Sequence, residues 1–448
     1  FSKMLVFALP IMAMNILQLL FNAADMIVVG RYSGSEALAA VGATGSLINL
    51  IVNLFMGLSV GTAVVTAQDY GAGKPEPINR TVHTSIGISI NSGVIVTVVD
   101  LILCEPLLMV MGTPDDILDL SVLYMRIYFL GLPASMIYNF GAAILRAIGD
   151  SRRPMYFLTI TGIINVIFNM FFVIVLHMSV DGVAWATVIS QYLAMILIMF
   201  SLSRSVGAIR FKFHLLRIDG HKLKDIVKIG LPAGLQSLLF SISIVLIQSA
   251  VKSFGSVMVA ASAASSNVEG FVSTAMNAYY NAAITFTGQS MGAKEYDQID
   301  SIAKVCTILI FTTWILLGGA TLFFGRTLLG LYTSNPDVIE LGMLRMKVMM
   351  AAYFTCGTMN VFPGLTRAMG YSILPMLSTL VGACLMRIVW LATIFRWYPT
   401  VVVLFMCYPV TWALAGLGQV VSFFYARGQI RKRAALEALE TESIEVSL

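Results

Sequence analysis

Long, uninterrupted apolar stretches are the feature that most constrains this 448-residue chain. Crossing the hydrocarbon core of a bilayer as a helix takes about 20 mostly apolar residues. Polar punctuation divides the sequence into twelve candidate segments of that kind, joined by short connections. Charged residues make up only 11% of the chain, against roughly 25% in a soluble domain. The pattern predicts an all-α integral membrane protein.

The predicted segments, numbered 1 to 12, cover residues 4–29, 37–67, 82–110, 121–145, 155–177, 182–202, 229–251, 257–287, 301–324, 340–365, 374–395 and 399–425. Of the 28 lysines and arginines, 20 lie near the N-terminus or in connections after even-numbered segments. Because basic residues accumulate in cytoplasmic loops, this bias predicts that both termini are cytoplasmic. Arg345 is assigned to the opposite loops, and Arg387 lies inside segment 11.

The two halves of the chain repeat one another. Three motifs recur 221 or 222 residues apart: Ala8-Leu9-Pro10 as Gly230-Leu231-Pro232, the run starting at Gln68 as the run starting at Gln289, and Arg146-Ala147 as Arg367-Ala368. Because six is even, both copies enter the membrane from the same side. This predicts two six-helix lobes related by a pseudo-two-fold axis along the membrane normal, a transporter architecture.

The predicted domains follow from this repeat. They are an N-terminal lobe (1–202), a cytoplasmic interlobe linker (203–228), a C-terminal lobe (229–425) and a cytoplasmic tail (426–448). We expect the basic linker to be a solvated loop rather than a lipid-binding patch.

A polar stripe on segment 1 is the first candidate site. Asn15, Gln18, Asn22 and Asp25 are spaced by three or four residues, so they share one helix face. Polar groups within hydrocarbon are costly and tend to face a cavity or one another. An ionised Asp25 would need a cation partner, or it would take up a proton. The stripe indicates cation coupling, with a structural hydrogen-bonding face as the alternative.

Two further segments carry comparable faces. On segment 5, Thr161, Asn165 and Asn169 lie four residues apart, and amide oxygens suit Na⁺ or a carboxyl partner as well as a structural role. On segment 8, Glu269 is the second acid well inside a span. Glu269 either titrates, attracts cationic substrates or forms a structural pair with Arg387.

Several function classes lack their motifs. The sequence has no phosphate loop, no His-x-x-x-His pair and no Gly-x-Ser-x-Gly elbow, so we expect neither an enzyme nor a bound cofactor. The net charge of +5 follows from the cytoplasmic bias of basic residues, which argues against a nucleic-acid partner.

Several runs resemble the multidrug and toxic compound extrusion (MATE) family, in particular its bacterial NorM-like and DinF-like members. These runs are Leu20-Phe21-Asn22-Ala23-Ala24-Asp25, Val28-Val29-Gly30-Arg31, Glu36–Gly42, Ala67-Gln68-x-x-Gly71-Ala72 and Ile144–Asp150. The resemblance implies two lobes around a central cavity and exchange of amphipathic, mostly cationic organic compounds for H⁺ or Na⁺. It also implies a bacterial inner membrane location.

The resemblance also implies site residues. Asp25, Asn165, Asn169 and Thr187 match the cation-coupling set and are the possible Na⁺ ligands. Asn169 stands where many relatives have Asp, so the formal charge of the set is −1 instead of −2, and attraction for Na⁺ should fall. We expect the substrate cavity to include Gln18, Asn22, Asn139, Gln191, Glu269, Asn277 and Tyr280.

The expected function is therefore secondary multidrug efflux by a monomer embedded in membrane lipid. A lipid-linked precursor flippase of related architecture is the alternative. A flippase would be expected to carry several basic residues inside the lobes to bind diphosphate.

Overall fold

The computed structural model describes residues 1–447, without the side chains of Ser46 and of residues 438 and 440–447, so Leu448 of the predicted tail lies outside the described residues. Within this range the regular structure is entirely helical. A bilayer leaves each span to satisfy its own backbone groups, and helices do so within the segment.

The α-helices are α1 (Ser2–Tyr32), α2 (Ser35–Gly71), α3 (Pro75–Val110), α4 (Asp115–Leu130), α5 (Leu132–Ala147), α6 (Arg152–Met170), α7 (Val180–Arg204), α8 (Gly220–Lys252), α9 (Ser256–Gly292), α10 (Asp297–Thr313), α11 (Gly319–Phe323), α12 (Gly325–Gly330), α13 (Pro336–Ala351), α14 (Tyr353–Ala368), α15 (Ile373–Thr379), α16 (Met386–Ala392), α17 (Ile394–Trp397) and α18 (Val401–Ser447). Three π-helical stretches extend α6, α10 and α15, namely Phe171–Val175, Trp314–Gly318 and Leu380–Leu385.

The helices show the same offset as the sequence repeat. α9, α13 and α14 begin and end 221 residues after α2, α4 and α5. The backbone agrees, since Gly34 and Gly255 precede α2 and α9 with φ of 92° and 95°. The left-handed Gly73 after α2 has its counterpart in Lys294, a non-glycine residue at φ 58°. The two halves therefore share the lengths of these helices and the conformations of the turns beside them.

Two segments are not the single helices that were predicted. Segment 4 breaks at Gly131 into α4 and α5, which meet at a bend of 46°, because Pro133 cannot donate a helical backbone hydrogen bond. Segment 10 is interrupted at Ala352 between α13 and α14. Segment 12, in contrast, continues without interruption through the predicted tail as far as Ser447.

Nine helices of the described chain are long and apolar enough to cross a membrane, and ten if the bent pair α4–α5 is one span. Segments 8 and 10 form α9 and α13–α14, which lie outside this group. These helices are less apolar because α9 and α13 pack together and bury the charged residues Glu269 and Arg345, which need polar partners. The prediction of twelve spans remains a prediction for these two.

The chain divides into two compact units. One, the N-unit, comprises Leu9–Gly234, and the other, the C-unit, comprises Phe1–Ala8 with Leu235–Leu448. The two boundaries fall inside α1 and α8, next to the repeat-related Pro10 and Pro232. The first residues of α1 therefore belong to the C-unit, and the first residues of α8 belong to the N-unit.

The interlobe linker is shorter and more ordered than predicted, because α7 reaches Arg204 and α8 starts at Gly220. Its Phe211 is 2% exposed and stacks on His83 at a centroid distance of 5.0 Å. Lys222 binds both carboxylate oxygens of Asp69 at 2.7 and 2.6 Å. The linker is thus packed on α2 and α3 within the N-unit, and it is not a freely solvated loop over its whole length.

Candidate functional site

Asp25 and Asn169 meet directly in the N-unit. The Asn169 Nδ2 group donates to Asp25 Oδ1 at 2.6 Å, joining α1 to α6 across 144 residues of chain. Asn169 is 1% exposed, whereas the Asp25 side chain is half-buried. A hydrogen bond to an ionised acceptor is about twice as strong as one between neutral groups. The amide therefore holds the only acid of the predicted coupling set.

Asn165 and Thr187 form the second pair of that set. The Asn165 Nδ2 group donates to Thr187 Oγ1 at 3.5 Å and to Ser190 Oγ at 3.2 Å. Asn165 precedes Asn169 by four residues, so both amides lie on one face of α6, one turn apart. The structure thus brings all four predicted residues onto neighbouring turns of α1, α6 and α7.

The orientation of the amides determines what this site can do. Asn169 presents nitrogen to Asp25, and its buried Oδ1 accepts no hydrogen bond within the described chain. Rotating the amide would instead present that oxygen, which suits a protonated carboxyl group or a cation. The site can therefore offer a donor to an ionised Asp25 or an acceptor to its neutralised form.

The remaining N-unit residues of the predicted cavity are more dispersed. Gln18 and Asn22 are exposed on α1, along the stripe that leads to Asp25. Asn139 is half-buried on α5 and donates to the Ser135 carbonyl at 2.8 Å. Gln191 lies one turn from Thr187 on α7. Their role in substrate binding stays a prediction.

Glu269 has a different partner from the one considered in the sequence. It pairs with Arg345 at 3.2 Å, so the alternative of a pair with Arg387 is wrong for this structure. Arg345 is 4% exposed within α13 and does not lie in a loop. Its Nη1 group also donates to the Ser262 carbonyl at 2.6 Å and to the hydroxyls of Ser265 and Ser266.

Arg387 lies fully buried in the same unit, without an acid. Its Nη1 group donates to Ser243 Oγ at 2.7 Å, and its guanidinium carbon lies 4.7 Å from the Phe240 ring centroid. Among the described residues nothing accepts from its Nε and Nη2 groups. The sequence correctly placed this arginine inside a span, but its surroundings were not predicted.

Asn277 and Tyr280 occupy the end of the α9 stripe. Asn277 is exposed, and its backbone and side-chain oxygens accept from Asn281. The Tyr280 hydroxyl accepts from Arg367 Nη1 at 2.6 Å, and Arg367 also donates to Gln236. These contacts of Arg367 and Tyr280 do not include Glu269.

Arg345 is the charged residue that sequence reasoning missed. The count of basic residues assigned it to an outer loop because it lies only five residues inside segment 10. A signal was present, since Ser262, Ser266 and Glu269 on segment 8 form a stripe that could satisfy a buried cation.

Comparisons with known proteins agree with this architecture. The MatE family model matches twice, over residues 10–171 and again over 232–393, and the two matches begin 222 residues apart. The chain is 27% identical over 386 residues to "Probable multidrug resistance protein YoeA" of Bacillus subtilis, covering 83% of this chain and 82% of the relative.

Two solved structures show the fold. A MOP superfamily transporter from Pyrococcus furiosus superposes with a TM-score of 0.88 at 22% identity, covering 96% of this chain and 95% of the other. The Vibrio cholerae MATE transporter VcmN in its bent form also gives 0.88, at 21% identity, covering 96% and 97%. The chain is thus a multi-pass, all-helical membrane protein with this fold.

Proposed function

The chain belongs to the MatE family, the multidrug and toxic compound extrusion transporters, and on that premise we propose that it exports amphipathic, mostly cationic organic compounds in exchange for H⁺ or Na⁺. Proteins of this family are transporters and not enzymes. The name of the Bacillus subtilis relative, a probable multidrug resistance protein, supports the substrate class.

One observation carries the coupling role, namely the contact between Asp25 and Asn169. The carboxylate is bound at 2.6 Å by an amide from another helix, and the amide is buried. Neutralising Asp25 by H⁺ or Na⁺ removes the charge that strengthens this bond. Cation binding is therefore coupled to the packing of α1 against α6.

The proposed cycle uses this coupling for alternating access. The outward-facing protein takes up H⁺ or Na⁺ at Asp25, with Asn165, Asn169 and Thr187 supplying polar groups. The resulting change in α1 packing releases the organic compound and permits the return step. The driving force comes from the ion gradient and the membrane potential, about 2.3 kcal/mol per charge per 100 mV.

The set carries one formal negative charge, because Asn169 is neutral. A bound monovalent cation therefore brings the site to neutrality.

We propose that the protein works as a monomer in a bacterial inner membrane, with both termini cytoplasmic. The distribution of basic residues supports this orientation.

A lipid-linked precursor flippase is the second candidate. Arg345, Arg367 and Arg387 are buried in the C-unit, which gives this alternative more support than the sequence did. Arg345 is already paired with Glu269, and Arg367 donates to Tyr280 and Gln236. A single arginine without such partners is not the cluster that a diphosphate group requires. Drug export therefore remains the better-supported proposal.

The decisive experiment is transport by the full chain in proteoliposomes, with Na⁺ and pH gradients imposed separately. We expect a fluorescent organic cation such as ethidium to be moved by at least one gradient. Asp25→Asn should abolish the gradient-driven component while leaving binding of the probe measurable. The gradient that drives transport identifies the coupling ion.

A matched control is Asp116→Asn, which makes the same chemical change at an exposed position at the start of α4. This variant should transport like the wild type. Gradient-driven transport by Asp25→Asn at the wild-type rate would refute the proposed role of Asp25. Transport of a lipid-linked diphosphate without ethidium transport would favour the flippase.

A further inference from the structure

The interior of the C-unit contains a charge imbalance that the proposed export cycle does not use. Glu269, Arg345 and Arg387 are each at most 9% exposed. The guanidinium carbons of the two arginines lie 5.8 and 5.2 Å from the ring centroid of Tyr408, so they are within about 11 Å of each other. This part of the C-unit therefore buries two arginines, and the carboxylate of Glu269 pairs with one of them, Arg345.

The contacts show which cation is left over. Arg345 donates hydrogen bonds to the carboxylate of Glu269 and also to a carbonyl and two hydroxyls on α9. Among the described residues, the neutral Ser243 hydroxyl is the only hydrogen-bond acceptor of Arg387. Its Nε and Nη2 donors are buried without an acceptor in the part of the chain that the structure describes. The excess positive charge thus resides on Arg387.

The groups around Arg387 do not neutralise it. Phe240 and Tyr408 offer ring faces at 4.7 and 5.2 Å, which stabilise a cation without removing its charge. The cysteines that interact with it electrostatically, Cys356, Cys384 and Cys407, are free thiols. A buried charge is expensive unless it is paired and hydrogen-bonded.

The helix that carries Arg387 is irregular at this point. The π-helical stretch Leu380–Leu385 ends two residues before it, and α16 starts at Met386. π-Helical turns inside α-helices are frequently found at functional sites. Gly382 in this stretch is closely packed, since an added Cβ would lie 2.6 Å from the Ala415 backbone. The π-helical stretch that precedes Arg387 is therefore closely packed against α18.

From these observations we propose that Arg387 is the centre of an anion-binding site inside the C-unit, which takes a monovalent anion through its free Nε and Nη2 donors. Two adjacent N–H groups of a guanidinium match the two oxygens of a carboxylate. The anion is either the carboxylate of an organic solute or a halide from the medium. This proposal is independent of drug export, because it is tested by equilibrium binding.

The charge balance makes the proposal specific. With Glu269 ionised, the cluster carries a net charge of +1. Glu269→Gln raises that charge to +2 and should tighten anion binding, whereas Arg387→Gln lowers it to zero and removes the charged Nε and Nη2 donors of the guanidinium. Losing a hydrogen bond to a charged group is expected to weaken binding by about tenfold or more.

The test is a titration of the purified full chain in detergent micelles with sodium benzoate and, in a second series, with sodium chloride. The unfolding temperature is the readout, and the same salt series measured on Arg387→Gln corrects for the general effect of ionic strength. Anything that binds the folded state alone raises this temperature in a saturable way. Arg326→Gln is the control, since Arg326 forms an exposed pair with Glu340.

We expect a saturable benzoate shift that is unchanged in Arg326→Gln, tighter in Glu269→Gln and at least about tenfold weaker in Arg387→Gln. Tighter binding of benzoate than chloride identifies an organic carboxylate site, and the reverse identifies a halide site. No saturable shift with either anion would overturn the proposal.

A further variant separates anion binding from a purely structural role. Arg387→Met removes the buried charge, so it should be no less stable than the wild type without benzoate and should not respond to benzoate. If Arg387→Met is strongly destabilised while wild-type stability does not depend on either anion, the arginine is structural and the proposal is wrong.

Discussion

The buried pair of Glu269 and Arg345 allows a quantitative prediction. Their side chains are 11% and 5% exposed, and Nη2 of Arg345 lies 3.2 Å from Oε2 of Glu269. Oε1 of Glu269 has no hydrogen-bond donor within the described chain. Arg345 is thus the only hydrogen-bonding partner that the structure gives this carboxylate, whereas Arg345 itself keeps three further acceptors.

This asymmetry predicts unequal losses of stability. Arg345→Met leaves a buried carboxylate without a partner and should cost about 3–5 kcal/mol. Glu269→Gln leaves Arg345 with its carbonyl and hydroxyl acceptors and should cost about 1–3 kcal/mol. The double variant contains neither charge, so it should be no less stable than Arg345→Met alone.

The free energy of unfolding is measured for the four proteins by far-UV circular dichroism, in mixed micelles with increasing fractions of a denaturing detergent. Arg326→Met provides the reference for an exposed pair, because Arg326 and Glu340 are 69% and 59% exposed and should contribute about 0–1 kcal/mol. If the losses of the single variants add in the double variant to within about 0.5 kcal/mol, the two residues are not coupled and the reasoning is refuted.

Four further outcomes are expected. Lys294→Gly should raise the unfolding temperature, because Lys294 has the left-handed φ of 58° that its counterpart Gly73 adopts without strain; a lower temperature would mean that the exposed contact of Lys294 with Glu437 matters more. Gly61→Ala should lower the free energy of unfolding in detergent by about 1–3 kcal/mol, because an added Cβ would lie 2.2 Å from the Ile226 carbonyl oxygen. The control Gly42→Ala should be tolerated, because no atom lies within 4 Å of the Cβ that it adds. Asn169→Asp should increase the Na⁺ dependence of transport in proteoliposomes, since a second carboxylate beside Asp25 doubles the negative charge; unchanged Na⁺ dependence would contradict this. Hydrogen bonds from the backbone of Lys222 and of His221, with Arg80 nearby, hold the pKa of Asp219 below its ordinary value of 3.8. The contribution of Asp219 to stability is therefore complete above that value and is lost as the pH falls through the lower pKa of the folded state. The difference in unfolding temperature between the wild type and Asp219→Asn should shrink only on the acid side.

The repeat and most helices could be predicted because their signals are local. Apolar runs predicted α2 and the end of α3, which begins earlier than expected, at Pro75, and the duplicated motifs revealed the offset that the helices share. The break at Gly131 was not predicted, although the nearby Pro133 lacks the backbone donor that a continuous helix needs. The π-helical stretches were not predicted; in one of them Gly382 packs closely against a part of α18 that is distant in sequence.

The site was predictable only in part. The spacing on α1 and α6 identified Asp25, Asn165 and Asn169, but the contact between Asp25 and Asn169 spans 144 residues and was anticipated only through family resemblance. The partner of Glu269 was missed because burial of Arg345 depends on the packing of α13 against α9. A topological count of charges carries no information on such packing.

The way in which the units divide inside α1 and α8 bears on how the chain arose. Residues 1–8 belong to the C-unit, where Phe7 meets Phe286 with ring centroids 5.6 Å apart, while the start of α8 belongs to the N-unit. The two halves thus exchange equivalent ends reciprocally. A single-copy ancestor with this arrangement would have been a homodimer with swapped N-termini, in which neither protomer was complete by itself. Half-chains expressed separately should therefore be stable only when they are produced together.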